Sequence, residues 1–286
     1  MADASCSRAP ARFRPVPARL AGVLLALAGT LGLATSARAD GRLEAKYVLT
    51  VGGVELGRAS VVAVASDATY EISGSGRITG VLRAVTAGKG RAAARGTLDG
   101  ARMLPQLYAL NAEAGDTPET ARLVMADGAL RDMDVEPPLK PHPDRVPLTD
   151  AVLRNILDPM SGAFVYVPGT ADLLSKAACD RSVPVFDGRQ RYDVALKFQR
   201  IEEVKTEGYA GPAVVCTVRY TPVAGHRPSR STVKYMAENK NMSVWLVPLP
   251  GTRLLAPFKV SVATMIGTAV FSATSFSARQ TAAATR

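Results

Sequence analysis

Two cysteines and two histidines are the residues past position 40 with the widest chemical range. Cys179 and Cys216 stand 37 positions apart, so they form no Cys-x-x-Cys redox pair. His142 and His226 match no clustered metal-ligand spacing with each other or with the cysteines, so no metal and no cofactor is expected. A Gly-x-Ser-x-Gly nucleophile elbow is absent. His142 lies in a proline-rich stretch and His226 in a Gly-His-Arg-Pro turn, and both are expected to be hydrogen-bonded locally. Asp158, Asp180, Asp187 and Asp193 could supply the carboxylate pair of a glycosidase. Most of them sit, however, where turns favour Asp for backbone reasons. Gly88-Lys89-Gly90 lacks the other residues of a phosphate loop and reads as a hairpin turn. No catalytic residue is assigned, and the protein is expected not to be an enzyme.

The cysteines take their meaning from the start of the chain. Arg8, Arg12, Arg14 and Arg19 precede the uncharged apolar run Leu20–Leu33, and Ala37-Arg38-Ala39 follows it. These are the three parts of a secretory signal, with cleavage expected between Ala39 and Asp40. The run is shorter than the roughly 20 residues that span a bilayer as a helix. Cys6 leaves with the leader, and the even pair that remains in an exported chain is expected to form a Cys179–Cys216 disulfide in the periplasm. Five arginines and one aspartate leave too, so the formal charge falls from +10 to about +6. The remaining basic residues are scattered, without a stripe of aromatics and cations, so nucleic acid is not an expected partner.

Around Cys179–Asp193, Arg181, Arg189 and Arg191 are dense, and a disulfide would draw Arg219 and Arg227 toward them. Such a patch either holds an anion or an envelope partner, or pins the turn beside the crosslink. A second set, Tyr47, Leu49, Leu246, Leu254, Leu255, Phe258, Met265 and Phe271, either lines a cavity for lipid or another apolar ligand or fills a solid core.

The elements that must position these residues are mostly strands. Leu43–Val51 alternates with period 2, turns at Gly52-Gly53, and returns as Val54–Ala65. Tyr70–Ile78, with an expected bend, Leu82–Leu98 and Met103–Asn111 follow, the last after a primed hairpin turn expected at Asp99-Gly100. Arg122–Ala126 and Leu130–Val135 flank Asp127-Gly128. Five prolines between 137 and 147 exclude a central strand and predict a crossing loop. Short helices are expected over 150–157 and 171–178. Strands resume at Ser182–Phe186, Tyr192–Ile201, Ala213–Tyr220, Ser231–Met236, Met242–Val247, Thr252–Val262 and Gly267–Phe276. The expectation is an all-β fold: a large antiparallel meander curled into an open or spiral β-barrel with two or three short helices. A leader (1–39), one β-rich domain (40–276) and a flexible tail (277–286) divide the chain.

Several segments carry a resemblance as a set: Tyr47–Gly57, Asp158-Pro159-Met160-Ser161-Gly162, Phe186-Asp187-Gly188-Arg189 with Arg191-Tyr192, and Tyr209–Cys216. Trp245-Leu246-Val247-Pro248 and Pro257-Phe258 complete it. Together they resemble a proteobacterial family of periplasmic proteins known as a domain of unknown function. The resemblance implies an open, spiralling β-barrel similar to the lipoprotein-localisation carriers and to disulfide-bearing envelope-integrity proteins. It implies no catalytic residues. The expected role is cell-envelope maintenance by a soluble exported protein, not an integral membrane protein, that binds an apolar ligand. The alternative is a structural protein that binds an envelope partner through a basic patch or a sheet edge.

Overall fold

The computed structural model describes residues 39–80, 88–115 and 117–282. The leader therefore lies outside the described residues up to position 38, while Ala39 and Asp40 open the first strand. Alternating side chains on extended backbone produce seven successive antiparallel strands. They are β1 (Ala39–Val51), β2 (Val54–Ala65), β3 (Thr69–Ile78), β4 (Gly88–Leu98), β5 (Met103–Ala114), β6 (Thr117–Ala126) and β7 (Ala129–Glu136). A crossing loop leads to α1 (Pro159–Gly162), β8 (Val165–Tyr166) and α2 (Lys176–Cys179). Then follow β9 (Arg181–Phe186), β10 (Arg191–Thr206), β11 (Tyr209–Ala224), α3 (Ser231–Glu238), β12 (Met242–Pro248), β13 (Leu254–Thr264) and β14 (Gly267–Ala282).

The hydrogen-bonded order is β7-β6-β5-β4-β3-β2-β1-β14-β13-β12-β11-β10-β9, with β8 paired to β13. The sheet is two meanders joined in its middle, since β1 pairs with both β2 and β14. Its two ends, β7 and β9, do not pair with each other. The crossing loop spans them instead: Leu130 N donates to Leu153 O and Ile156 N to Gly128 O, at 3.1 and 3.2 Å. On the other side Leu157 N donates to Pro184 O and Phe186 N to Leu157 O, at 2.7 and 2.8 Å. The curl is visible in the packing as well, because Phe186 of β9 and Leu123 of β6 share one buried cluster with Ile156 of the loop.

Several sequence expectations need correction. The helix expected over 150–157 is this bridging segment: only Val152 N and Leu153 N make turn bonds, to Thr149 O and Asp150 O at 3.1 and 3.3 Å, while Leu153 O, Ile156 N and both backbone groups of Leu157 bond to the two sheet ends. Asp158 does not stop a helix but starts one, as the N-cap of α1. The helix expected over 171–178 is confined to the single turn of α2, capped by Ser175. Ser231–Met236 is helix, not strand, with Val233 and Met236 at i,i+3 spacing on its partly buried side. Gly88-Lys89-Gly90 opens β4 rather than turning, and β3 runs without a bend. Primed-turn geometry belongs to Gly52-Gly53 and to Asp127-Gly128, where both central φ values are positive. At Asp99-Gly100 only the glycine has positive φ, because the Asp99 carboxylate accepts from the amides of Ala101 and Arg102 at 2.9 and 2.8 Å. The expected tail past Phe276 is strand through Ala282, in register with Asp40 and Ala39, since ladder bonds use backbone and Arg279 pairs with Glu44 of β1 at 3.1 Å.

Candidate functional site

The inner face of β1–β5 can be read row by row from the strand register. One row runs Tyr47–Ala59–Gly76–Gly90–Ala112, and the next runs Ala45–Val61–Gly74–Ala92–Leu110. Period-2 alternation thus delivers almost nothing larger than a methyl group from the middle strands. The walls are larger: Leu49, Leu56, Ile78, Leu110, Met160 and Phe271 surround an apolar groove of about 510 Å³. A Cβ added at Gly76 would meet only ordinary van der Waals neighbours, so nothing fills the space above it. One end is blocked by α1, whose Met160 methyl lies against Gly74. The opposite face of the same strands is polar. Lys46, Arg58, Arg77, Lys89 and Arg91 border a depression there of about 720 Å³.

A chain of buried hydrogen bonds holds α1 in place. Asp158 accepts from the amides of Met160 and Ser161, both at 2.9 Å, and from Ser161 Oγ at 2.6 Å. The Tyr70 hydroxyl shares a 2.9 Å bond with Ser161 Oγ. Burial pushes the Asp158 carboxyl above its usual range, with the hydrogen bonds from Ser161 and Met160 opposing. Although Asp, Ser and Tyr in series suggest nucleophile activation, Ser161 is fully enclosed and reaches no cleft. The series is a fastening.

The candidate apolar residues divide between two faces. Tyr47, Leu254 and Phe258 belong to the core inside the curl, where Phe271 stacks on Tyr47 with ring centroids 4.5 Å apart. Tyr47 also donates to Pro257 O at 2.7 Å. Leu246 and Leu255 face the other way, into a second core with Val165, Val183, Val214 and the cysteines. Only Leu49 and Phe271 of the set border the groove. Met265 is 59 % exposed at the β13–β14 turn, away from the groove. The residues that shape the groove, Ala59, Gly76, Gly90, Ala92 and Ala112, escaped the reading because apolar ligands suggest large side chains. Their signal was small residues at alternate positions of two strand-like runs.

Cys179 and Cys216 form the expected disulfide, with Cα atoms 5.6 Å apart, tying the end of α2 to β11. The arginine patch does not assemble. Arg181 donates to the Tyr166 and Ala177 carbonyls beside the crosslink. Arg189 spans to the far edge of the sheet, donating to the Pro137 and Glu136 carbonyls at 2.8 and 3.1 Å. Arg191 pairs with Asp193 at 2.8 Å, and Arg219 donates to Asn239 O at the end of α3, also at 2.8 Å. Arg227 stands apart in a different cleft. Three of these five therefore bind backbone carbonyls and one is ion-paired. The carboxylates behave likewise: Asp187 accepts from the amides of Arg189 and Gln190 at 2.8 and 2.7 Å. His142 Nδ1 accepts from the Asp144 amide at 3.1 Å. Among the described residues no three His, Cys, Asp or Glu are placed to hold a metal, and no helix is long and apolar enough to cross a membrane.

Fold and site together define a disulfide-stapled, open antiparallel barrel with a small-residue groove. The chain belongs to the DUF3108 family, a protein family of unknown function whose model matches residues 46–274. Among curated proteins nothing matches. Among solved structures it is similar to a β-barrel-like protein of the domain of unknown function DUF1849 from Brucella abortus, with 10 % identity and a TM-score of 0.49. That likeness covers 85 % of this chain and 98 % of the other.

Proposed function

We propose that this protein is an exported, non-enzymatic periplasmic protein that maintains the cell envelope by holding the acyl chain of a lipid. The observation that carries the reading is the groove, apolar on its walls and floored by glycine and alanine across β2–β5. A floor with little beyond methyl groups lets a flexible chain lie close against the sheet, and each buried methylene contributes about 0.8 kcal/mol. The volume falls within the range of ordinary ligand pockets. The disulfide supports residence in an oxidising compartment. The rival reading, a partner strand added to a sheet edge, is less well supported, since the crossing loop already bonds to both β7 and β9.

Delipidated protein is expected to gain thermal stability on adding fatty acid or phospholipid. Gly76→Leu, which fills the groove, is expected to lose that gain while melting near the wild type. A flat melting temperature across the lipid panel, or an undiminished gain in the variant, sinks the reading.

A further inference from the structure

The cleft that receives Arg227 lies between the crossing loop, the start of β10, the end of β11 and α3. It encloses about 400 Å³, and Arg145, Arg227, Arg230 and His226 line it together with Tyr192 and Tyr220. The loop carrying Arg145 is bound to the segment carrying His226: Val146 N donates to His226 O at 3.0 Å and Gly225 N to Val146 O at 2.8 Å. Arg145 Nη1 donates to Gly225 O at 2.6 Å. None of the three arginines is in an ion pair among the described residues. Asp144, the nearby carboxylate, is occupied by the amide and hydroxyl of Ser229.

Two guanidinium donors and one imidazole nitrogen of this cleft lack partners. Arg145 Nε, Arg227 Nε and His226 Nδ1 are buried without a hydrogen-bond partner, and His226 is only 8 % exposed. A buried donor left unpaired costs about 1–3 kcal/mol, and more when charged, so such groups call for an acceptor. The eight-residue helix α3 adds to this. It begins at the cleft with no side-chain cap, the Val233 and Lys234 amides both turning back to Arg230 O at 3.1 Å, and the positive end of its dipole favours negative charge. Guanidinium forks match the oxygens of phosphate groups, and the two tyrosines, 5.4 Å between ring centroids, offer a wall for an organic substituent.

We infer that this cleft binds an organic phosphate, its phosphate oxygens held by Arg145, Arg227, Arg230 and His226. A soluble phosphate monoester and a lipid headgroup share this chemistry. The test is titration calorimetry at constant ionic strength with glycerol 3-phosphate, and co-sedimentation with phosphatidylglycerol vesicles. The proteins are wild type, Arg227→Gln/Arg230→Gln, and a control, Arg95→Gln/Lys205→Gln, that removes equal charge elsewhere. Saturable binding that weakens about tenfold or more in the first pair and not in the control is expected. Loss confined to glycerol 3-phosphate assigns a soluble ligand, and loss confined to vesicles assigns a headgroup. Binding of neither probe, or equal weakening in both pairs, overturns the inference. Should the cleft pair fail to fold by circular dichroism, amide shifts in wild-type NMR decide. Shifts confined to Arg145, Val146 and residues 226–233 support the site, and shifts elsewhere overturn it. Gly76→Leu leaves this binding unchanged, which separates the inference from the groove.

Discussion

Leu255 and Leu110 are both strand leucines, yet one is sealed between two layers and the other borders open space. Around Leu255, strands β11–β13 pack apolar side chains on both faces: into the interior of the curl on one, and against Val167, Leu173, Leu174 and α2 on the other. Around Leu110, β2–β5 have a single apolar face, and its central rows carry glycine and alanine. The covered half owes its order to side-chain volume and a crosslink. The open half owes its order chiefly to its hydrogen-bonded ladder, which leaves its inner surface free to receive something else.

Removing the crosslink tests the covered half hardest. Cys179→Ala/Cys216→Ala, or reduction of the wild type, is expected to cost about 4 kcal/mol in denaturant melts. A loss below about 1 kcal/mol would mean that packing alone holds α2. Leu255→Ala is expected to cost about 3 kcal/mol, because the surroundings cannot collapse into the cavity. Leu110→Ala, the same chemical change beside the groove, should cost about 1 kcal/mol or less, and equal costs would erase the contrast. Asp158→Ala, which releases α1 from the floor of the groove, is expected to cost about 2 kcal/mol.

The smallest effect lies at the open rim. Glu55 accepts from Arg58 and Thr79, and these bonds hold its carboxylate down at about 2. The folded value lies below the unfolded value of about 4.3. Its contribution is therefore present above about pH 4 and is lost as pH falls toward 2. Glu55→Gln should shallow that acid limb of the stability curve slightly, measured by melts between those pH values. An unchanged limb would show that solvent screens the pair completely.

Much of the strand pattern was legible because alternation and Gly-Gly or Asp-Gly turns are local signals. The disulfide was legible too, since only two cysteines remain past position 40, and an even pair behind an expected leader has few other fates. Asp187 could be read as a turn residue, since an Asx turn needs only the next three amides. Ser231–Met236 was misread, because Val233 and Tyr235 alternate as well as Val233 and Met236 step helically, and packing against β11 decided between them. The arginine patch was misread for a related reason. Sequence proximity near a crosslink says nothing of which face each guanidinium leaves from, and most found backbone carbonyls instead.

By itself, then, the sequence determined the period of most long strands, the tight turns at Gly52-Gly53 and Asp127-Gly128, and the identity of the crosslinked pair, all set by neighbours within a few residues or by cysteine number. Only the tertiary structure decided which strands are covered on both faces, that alternate glycines meet across β3 and β4 to leave a groove, and that Arg145 joins Arg227 across the molecule. Those outcomes depend on long-range pairing and curl, for which no stretch of chain carries a local signal.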